Sequence, residues 1–157
     1  MKNVIIIFVI VLVLLLVFPA STVTAGTYKS LTLGVKNKNP LNIKKGGTTD
    51  WLGTVGYDSQ GHAIFSSFVY GIRAAIKDIK GKISRGIDTI QELIYVWAMG
   101  NREPYITYLV NQTGYSRNQK LEFSKTTIQR LVIAMGQFES TYTISQSEFN
   151  SAWLLVV

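Results

Sequence analysis

Apolar side chains recur along residues 124–140 with the period of an α-helix. At about 100° per residue they fall on one face, which comprises Ile128, Leu131, Val132, Met135 and Phe138. Glu139 lands near the middle of this apolar face. Because an unpaired buried charge is costly, a carboxylate at that position either faces a cleft or turns out to water at the helix end. The segment is therefore predicted to be a helix that carries a candidate functional carboxylate.

Helical spacing also recurs in the middle of the chain. One helix is predicted to begin after Ser66 or Ser67 as N-cap and to stop near Gly81. A second begins at residues 88–92, which have the pattern of a capping box. Glu92 is therefore predicted to be a cap residue.

Two further segments complete the predicted helical part. Pro104 suits the first position of a helix that ends at Gly114, and Glu103 lies at its N-terminus, where a carboxylate is favoured electrostatically. Residues 145–157 have Ser147 as a candidate cap. Their predicted packing groups are Phe149, Trp153 and Leu154.

Short aromatic and β-branched runs at residues 51–57 and 62–65 flank a good turn sequence at 58–61. This pattern predicts a small β-hairpin. Residues 26–50 are rich in Gly, Lys, Asn and Thr, which predicts an irregular lead-in with a turn at Asn39-Pro40. The expected fold is mainly α (α+β), with several helices and one hairpin.

The N-terminal segment has a different character. An uninterrupted apolar run extends from Val4 to Phe18 after Lys2, and small residues precede a possible cleavage point after Ala25. The run is at the upper end for a signal peptide and shorter than the about 20 residues that a spanning helix needs. Residues 1–25 are therefore predicted to be a signal peptide or a membrane anchor.

The remaining residues, 26–157, are enough for a single domain with its own core. The chain has no cysteine and only one histidine, His62, which excludes thiolate chemistry and a His-rich metal site. No cofactor is predicted. The net charge of +7 suits an anionic partner such as a cell-wall polymer, lipid head groups or nucleic acid. Basic and aromatic residues do not alternate along one element, which argues against nucleic acid.

The carboxylates are the remaining candidates for chemistry. One or two of them can cleave a sugar polymer without metal or cysteine, although the same inventory fits a protein with no catalysis. A carboxylate in a cleft with apolar walls has a raised pKa, which a general acid working near neutral pH requires. Glu139 is the first catalytic candidate and Glu103 the second, because Glu103 has a ready explanation as a capping residue.

Short motifs follow one another in the order seen in a family of bacteriophage and prophage proteins. They are Asn39–Lys44 (NPLNIK), Trp51–Gly53 (WLG), Phe65–Phe68 (FSSF), Gly71–Ala74 (GIRA), Thr89–Ile90, Trp97–Ala98 and Phe138–Ser140 (FES). With them the chain resembles virion-associated, lysozyme-like lytic or structural proteins of phages. Two departures stand out: Leu41 replaces a usual Gly, and residues 101–104 (NREP) replace a stretch that usually reads Glu-Asn-x-Thr.

The resemblance implies a lysozyme-like helical domain that acts on peptidoglycan as a muramidase or lytic transglycosylase. Glu139 would then be the general acid, Asn39 and Asn42 would bind acetamido or hydroxyl groups, and Trp51 and Tyr105 would stack on sugar faces. The same residues also fit simpler roles as turn-forming asparagines and packing aromatics. The family equally allows a non-catalytic virion membrane protein with this fold.

In that setting the N-terminal segment would tether the protein to the membrane of a lipid-containing virion or of the bacterium, or export it to the periplasm and cell wall. Peptidoglycan, the membrane and other virion proteins are then the expected partners.

Overall fold

The computed structural model describes residues 31–48 and 50–156. Its elements are α1 (Leu33–Lys36), β1 (Thr54–Tyr57), β2 (Ala63–Phe65), α2 (Phe68–Ile83), α3 (Ile90–Trp97), α4 (Glu103–Thr113), α5 (Lys125–Ser140) and α6 (Gln146–Leu154). The prediction of a mainly helical fold with one small hairpin is confirmed. The predicted signal peptide or anchor, residues 1–25, lies outside the described residues. None of the helices in the described ranges has both the length and the apolarity needed to cross a bilayer.

The core is built from the apolar faces of the helices. Fully buried side chains of α2 and α5 lie at its centre, with α6 packed on α2 and α4 packed on α5. They include Ile72, Ile76, Ile79, Ile128, Leu131, Val132 and Met135. Burying one such side chain stabilises a fold by about 1.5–3 kcal/mol, so these faces hold the helices in place.

Most predicted helix ends are confirmed by their hydrogen bonds. The hydroxyl of Ser124 accepts from the backbone N–H of Thr127 and begins α5. Thr89 caps α3 by accepting from the N–H of Glu92, and the Glu92 carboxylate accepts from Thr89 in return. Gly114 ends α4 in a left-handed conformation, with φ of 74°. These ends depend on residues that are close in sequence, which is why the pattern located them.

Several local predictions are corrected by the structure. α6 is capped by Ser145, which forms a capping box with Glu148, and Ser147 is not the cap. Leu154 was predicted to pack on the core but is 72% exposed, because it lies at the outer side of the last turn of α6. α2 ends at Ile83, two residues beyond Gly81, which agrees with the predicted stop near Gly81.

The lead-in contains the short helix α1, which the sequence did not predict. Its Gly34 lies against the end of α5, where an added Cβ atom would come within 2.7 Å of the Ser140 Cβ. Thr32 donates a hydrogen bond to the Ser140 carbonyl (2.7 Å), and the Ser140 hydroxyl donates to the Pro40 carbonyl (2.8 Å). Residues 32–44 therefore form a strap that fixes the C-terminal end of α5, next to Glu139.

The hairpin is antiparallel, with Thr54 opposite Phe65 and Tyr57 opposite Ala63. The strap joins its edge, because Lys44 pairs with His62 in an isolated antiparallel bridge. This pairing brings the NPLNIK segment between the hairpin and α5.

Candidate functional site

A cleft of about 510 Å³ lies where the strap, the hairpin and the helices α2 to α5 meet. Phe138 and Glu139 line it from α5, and residues 41–44 line it from the strap. The remaining lining residues are His62, Asp78, Lys82, Val96, Trp97, Ala98, Met99, Asn101 and Tyr105. The cleft thus combines an apolar and aromatic surface with a few polar groups, as is usual for ligand sites.

Glu139 is half-buried at this cleft and is held by the strap. The amide Nδ2 of Asn42 donates a hydrogen bond to its Oε2 (3.1 Å). Asn42 has a left-handed backbone, with φ of 51°, a conformation that Asn tolerates better than most residues. The backbone N–H of Asn42 donates to the Asn39 carbonyl (3.0 Å), and this turn directs the Asn42 amide towards Glu139.

Tyr105 is buried beside the same carboxylate. Burial first, and the charge of Glu139 second, raise the pKa of Tyr105 well above its ordinary value, so its hydroxyl stays protonated. Within the described residues, neither this hydroxyl nor the Oδ1 atom of Asn42 has a hydrogen-bond partner. An unpaired buried polar group costs about 1–3 kcal/mol, so these two atoms are an energetic cost that the fold carries beside Glu139.

Phe138 forms an aromatic surface at the edge of the cleft. It was predicted to lie in the core, but it is 41% exposed. Its ring stacks on Tyr105, with centroids 3.9 Å apart, and meets Tyr108 at 5.2 Å. The helix ends two residues later, so Phe138 reaches the rim of the protein instead of its interior.

His62 contributes a polar group from the hairpin turn. Its Nδ1 lies 3.1 Å from Oδ2 of Asp58, and the Asn37 amide donates to the same oxygen (2.7 Å). Burial alone would raise the pKa of Asp58. The hydrogen bonds that it accepts from the backbone of His62, the amide of Asn37, the backbone of Gln60 and the ring of His62 outweigh burial and lower this pKa to about 2. Asp58 is therefore a carboxylate that fixes the orientation of the imidazole.

An ion pair occupies another part of the lining. Lys82 binds Asp78 one helical turn away on α2, and its ammonium also lies over the ring of Trp97, 5.1 Å from the centroid. The positive charge of Lys82 is thus compensated within the protein. In the described ranges, no cluster of three or more His, Asp or Glu side chains is placed to hold a metal ion.

The structure brings three of the predicted site residues together, namely Glu139, Asn42 and Tyr105. Asn39 is not among them, because its side chain is fully buried and bonded to the backbone of Ile43 and Ala63. The geometry gives Asn39 a structural role, in place of the predicted contact with sugar.

Two other predicted residues lie elsewhere. Trp51 lines a separate depression with Arg73, and its ring N–H donates to the Lys44 carbonyl (2.8 Å). Glu103 lies outside the cleft and forms a surface ion pair with Arg117, whose hydrogen bonds lower the pKa of Glu103. A lowered pKa is the opposite of what a general acid requires.

Sequence reasoning missed the contribution of the hairpin side. His62 was noted only as the lone histidine, and its link to Asp58 was not predicted. The signal was present, because an Asp at the start of a turn commonly bonds to the backbone two residues on, and His62 follows Asp58 by four positions. Lys44 was predicted as part of a motif but not as a cleft residue.

These features define a small, mainly helical domain with a hairpin-flanked cleft that contains one glutamate at the end of a helix. No protein-family model matches the sequence. The chain is 32% identical over 130 residues to Protein P5 of Pseudoalteromonas phage PM2, which covers 76% of this chain and 80% of that protein. The chain therefore belongs to the family of Protein P5, a family of bacteriophage proteins.

Proposed function

We propose that this protein is a peptidoglycan-cleaving glycosidase of phage origin in which Glu139 is the general acid. The observation that carries the proposal is the position of the Glu139 carboxylate, half-buried in a cleft and held by the Asn42 amide. Among the described residues Glu139 makes no ion pair, so no cation competes with a substrate for it. A single carboxylate in this setting can serve both halves of a glycosidic cleavage.

The proposed reaction uses the Glu139 carboxyl group twice, first as an acid and then as a base. Protonated Glu139 gives its proton to the glycosidic oxygen as the bond from the anomeric carbon breaks. The carboxylate then takes a proton from the hydroxyl that attacks the anomeric carbon. Attack by water gives hydrolysis and a reducing end, whereas attack by the C6 hydroxyl of the same sugar gives a 1,6-anhydro end and a lytic transglycosylase. Asn42 would keep the carboxylate aimed at the bond, and the buried Tyr105 hydroxyl would donate to the carboxylate.

The fold class supports the proposal by analogy. A helical body, a small hairpin and a glutamate at a helix end, followed directly by a serine, match the expectation from the lysozyme-like resemblance. In a phage, such an activity would let the genome pass the cell wall or release progeny. Association with a membrane through residues 1–25, and with other virion proteins, belongs to the same proposal.

The test compares the full-length chain with its Glu139→Gln variant on purified peptidoglycan. Loss of general acid–base catalysis is expected to reduce the release of soluble fragments about 10²–10⁴-fold. Mass analysis of the products from the native chain identifies the reaction, because hydrolysis adds one water and transglycosylation adds none. Circular dichroism and thermal unfolding establish that the variant keeps the fold.

Two control variants sharpen the result. Glu122→Gln makes the same change at an exposed glutamate outside the cleft and is expected to keep full activity. Glu103→Gln tests the second candidate and is also expected to keep activity. Full activity in Glu139→Gln, or no fragments from the native chain, would overturn the proposal. The second outcome would favour a non-catalytic virion protein that keeps this fold.

A positioning variant is also available. In Asn42→Gly the left-handed backbone is retained at no steric cost, while the amide that holds Glu139 is removed. Hydrogen bonds to charged groups contribute about 1.5–3 kcal/mol, so kcat is expected to fall roughly tenfold to a hundredfold.

A further inference from the structure

The hairpin side of the cleft carries a cation beside a histidine. Lys44 and His62 are partners in an antiparallel bridge, so their side chains leave the backbone on the same face. Both line the cleft that contains Glu139. Lys44 follows Asn42 by two residues, so it belongs to the same strap segment as the residue that holds the proposed general acid.

The charge of Lys44 is not compensated by the protein. It makes no ion pair within the described residues, whereas Lys82, the other lysine of the cleft, is bound to Asp78. The ammonium of Lys44 is therefore the cation available to a ligand. An exposed lysine that lines a cleft is able to bind an anion without first breaking an internal contact.

His62 adds a directed hydrogen-bonding group. The Nδ1 atom of its ring is hydrogen-bonded to Asp58, and the Nε2 atom has no partner among the described residues. In the cationic imidazole, Nδ1–H donates to Asp58 and Nε2–H is free to donate to an anion. The same carboxylate that orients the ring thus fixes which nitrogen is offered to a ligand.

We propose that Lys44 and His62 form an anion subsite that binds a carboxylate carried on the 3-position substituent of an amino sugar. The proposal rests on the proposed glycosidase function and names its substrate class: an acidic muramyl glycan in preference to a neutral amino-sugar polymer. The carboxylate can be that of the lactyl group in a peptide-free glycan or one belonging to a stem peptide.

The experiment measures binding in the full-length chain with Glu139→Gln, so that no turnover occurs. The probes are a peptide-free tetrasaccharide of alternating N-acetylglucosamine and N-acetylmuramic acid, the same tetrasaccharide with stem peptides, and the N-acetylglucosamine tetramer. We expect tighter binding of an acidic probe, and we expect Lys44→Gln to reduce that preference about tenfold or more, as for the loss of one charge-assisted contact. Of the two acidic probes, without and with stem peptides, the one whose affinity falls more on Lys44→Gln identifies whether the lactyl group or the stem peptide supplies the carboxylate.

The neighbouring lysine provides a matched control. Lys45→Gln removes the same charge one position away, where the ammonium lies over the ring of Tyr57 and does not line the cleft. It is expected to leave the preference unchanged. Because His62 is the only histidine in the chain, its ¹⁵N ring signals are assigned without ambiguity. The Nε2 signal is expected to shift on addition of the acidic probe and not of the neutral one.

The outcomes separate this proposal from the glycosidase function. If the native chain cleaves peptidoglycan but Lys44→Gln keeps the preference, or Lys45→Gln loses it equally, the subsite is refuted and the glycosidase stands. If the native chain cleaves nothing but binds acidic probes in a Lys44-dependent way, the subsite stands and the glycosidase is refuted. Absence of any binding refutes the subsite.

Discussion

The Asn39 side chain joins the strap to the hairpin, and its replacement by alanine tests whether this joint is structural. Its Nδ2 donates to the carbonyls of Ile43 and Ala63, and its Oδ1 accepts from the Ile43 N–H, each at 2.8 Å. The side chain is fully buried, so water does not replace these bonds without a change in the structure. Asn42 lies in the turn between Asn39 and Ile43, which these hydrogen bonds hold together.

The magnitude follows from the groups that Asn39→Ala leaves unpaired. The Ile43 carbonyl still accepts from the Ala63 N–H (2.9 Å), so its loss is small. The Ile43 N–H and the Ala63 carbonyl each lose the hydrogen bond from Asn39, and these two groups account for most of the loss of stability. At about 1–3 kcal/mol for each of these two unsatisfied buried groups, the free energy of unfolding is expected to fall by roughly 2–6 kcal/mol. That is a large part of the about 5–15 kcal/mol that typically stabilises a domain.

Urea unfolding measures this change as a lower midpoint at an unchanged m value. With m of about 2 kcal/mol per molar, the midpoint is expected to fall by roughly 1–3 M. Asn118→Ala, at an exposed asparagine, is the control and is expected to leave the midpoint unchanged. The reasoning is refuted if Asn39→Ala keeps its midpoint but binds the muramyl tetrasaccharide more weakly, since that result would assign Asn39 to the substrate.

Two further predictions concern the surroundings of the strap. In Gly71→Ala the new Cβ atom would lie 2.2 Å from the Lys38 carbonyl oxygen, so the backbones of α2 and the strap must separate. We expect a loss of stability of roughly 3 kcal/mol, measured as a lower Tm. An unchanged Tm would contradict this packing. Because the pKa of Asp58 is lowered to about 2 from an unfolded value near 3.8, its stabilising effect is complete above about pH 4 and is lost as the pH falls towards 2. Asp58→Asn should therefore be less stable at pH 7 and show a shallower loss of stability in that acidic range; parallel curves for the two proteins would contradict the hydrogen bonds from Asn37 and His62.

The parts of the fold that sequence reasoning located are those whose signals are local. α5 was predicted from its helical period, because that signal acts within a few turns. The hairpin was predicted from two short β-prone runs and the turn that begins at Asp58. For the same reason α1 was missed: its four residues, Leu33–Lys36, are too few to show a period.

The candidate site was predicted only in part, because its assembly depends on distant contacts. Asn42 reaches Glu139 across 97 positions, and Asn39 reaches Ala63 across 24. Two asparagines three residues apart in the same motif therefore have opposite roles, one at the cleft and one in the core. Their residue type could not separate them, since Asn serves equally well in turns, in buried networks and in ligand contacts.

The placement of Phe138 shows the limit of a helical wheel. The wheel gives the direction of each side chain around the helix axis, but it does not show how far along the helix the core extends. Phe138 lies on the apolar side as predicted, yet its ring stacks on Tyr105 and meets Tyr108 of α4 while remaining partly exposed. A stripe that is core along most of its length thus becomes a cleft wall in its last turn, and this is where Glu139 lies.

The position of the Glu139 carboxylate is fixed by the anchoring of its neighbour, Ser140, and not by the helix alone. Helix ends commonly fray, and a carboxylate in the last turn would then take many positions. Here the next residue, Ser140, is fully buried, donates its hydroxyl to the Pro40 carbonyl and accepts at its own carbonyl from Thr32. Since the strap that clamps Ser140 also carries Asn42, the same segment fixes the backbone below Glu139 and the hydrogen bond at its tip. The Glu-Ser pair is therefore the proposed acid and its anchor, and the NPLNIK motif is the part of the chain that holds both.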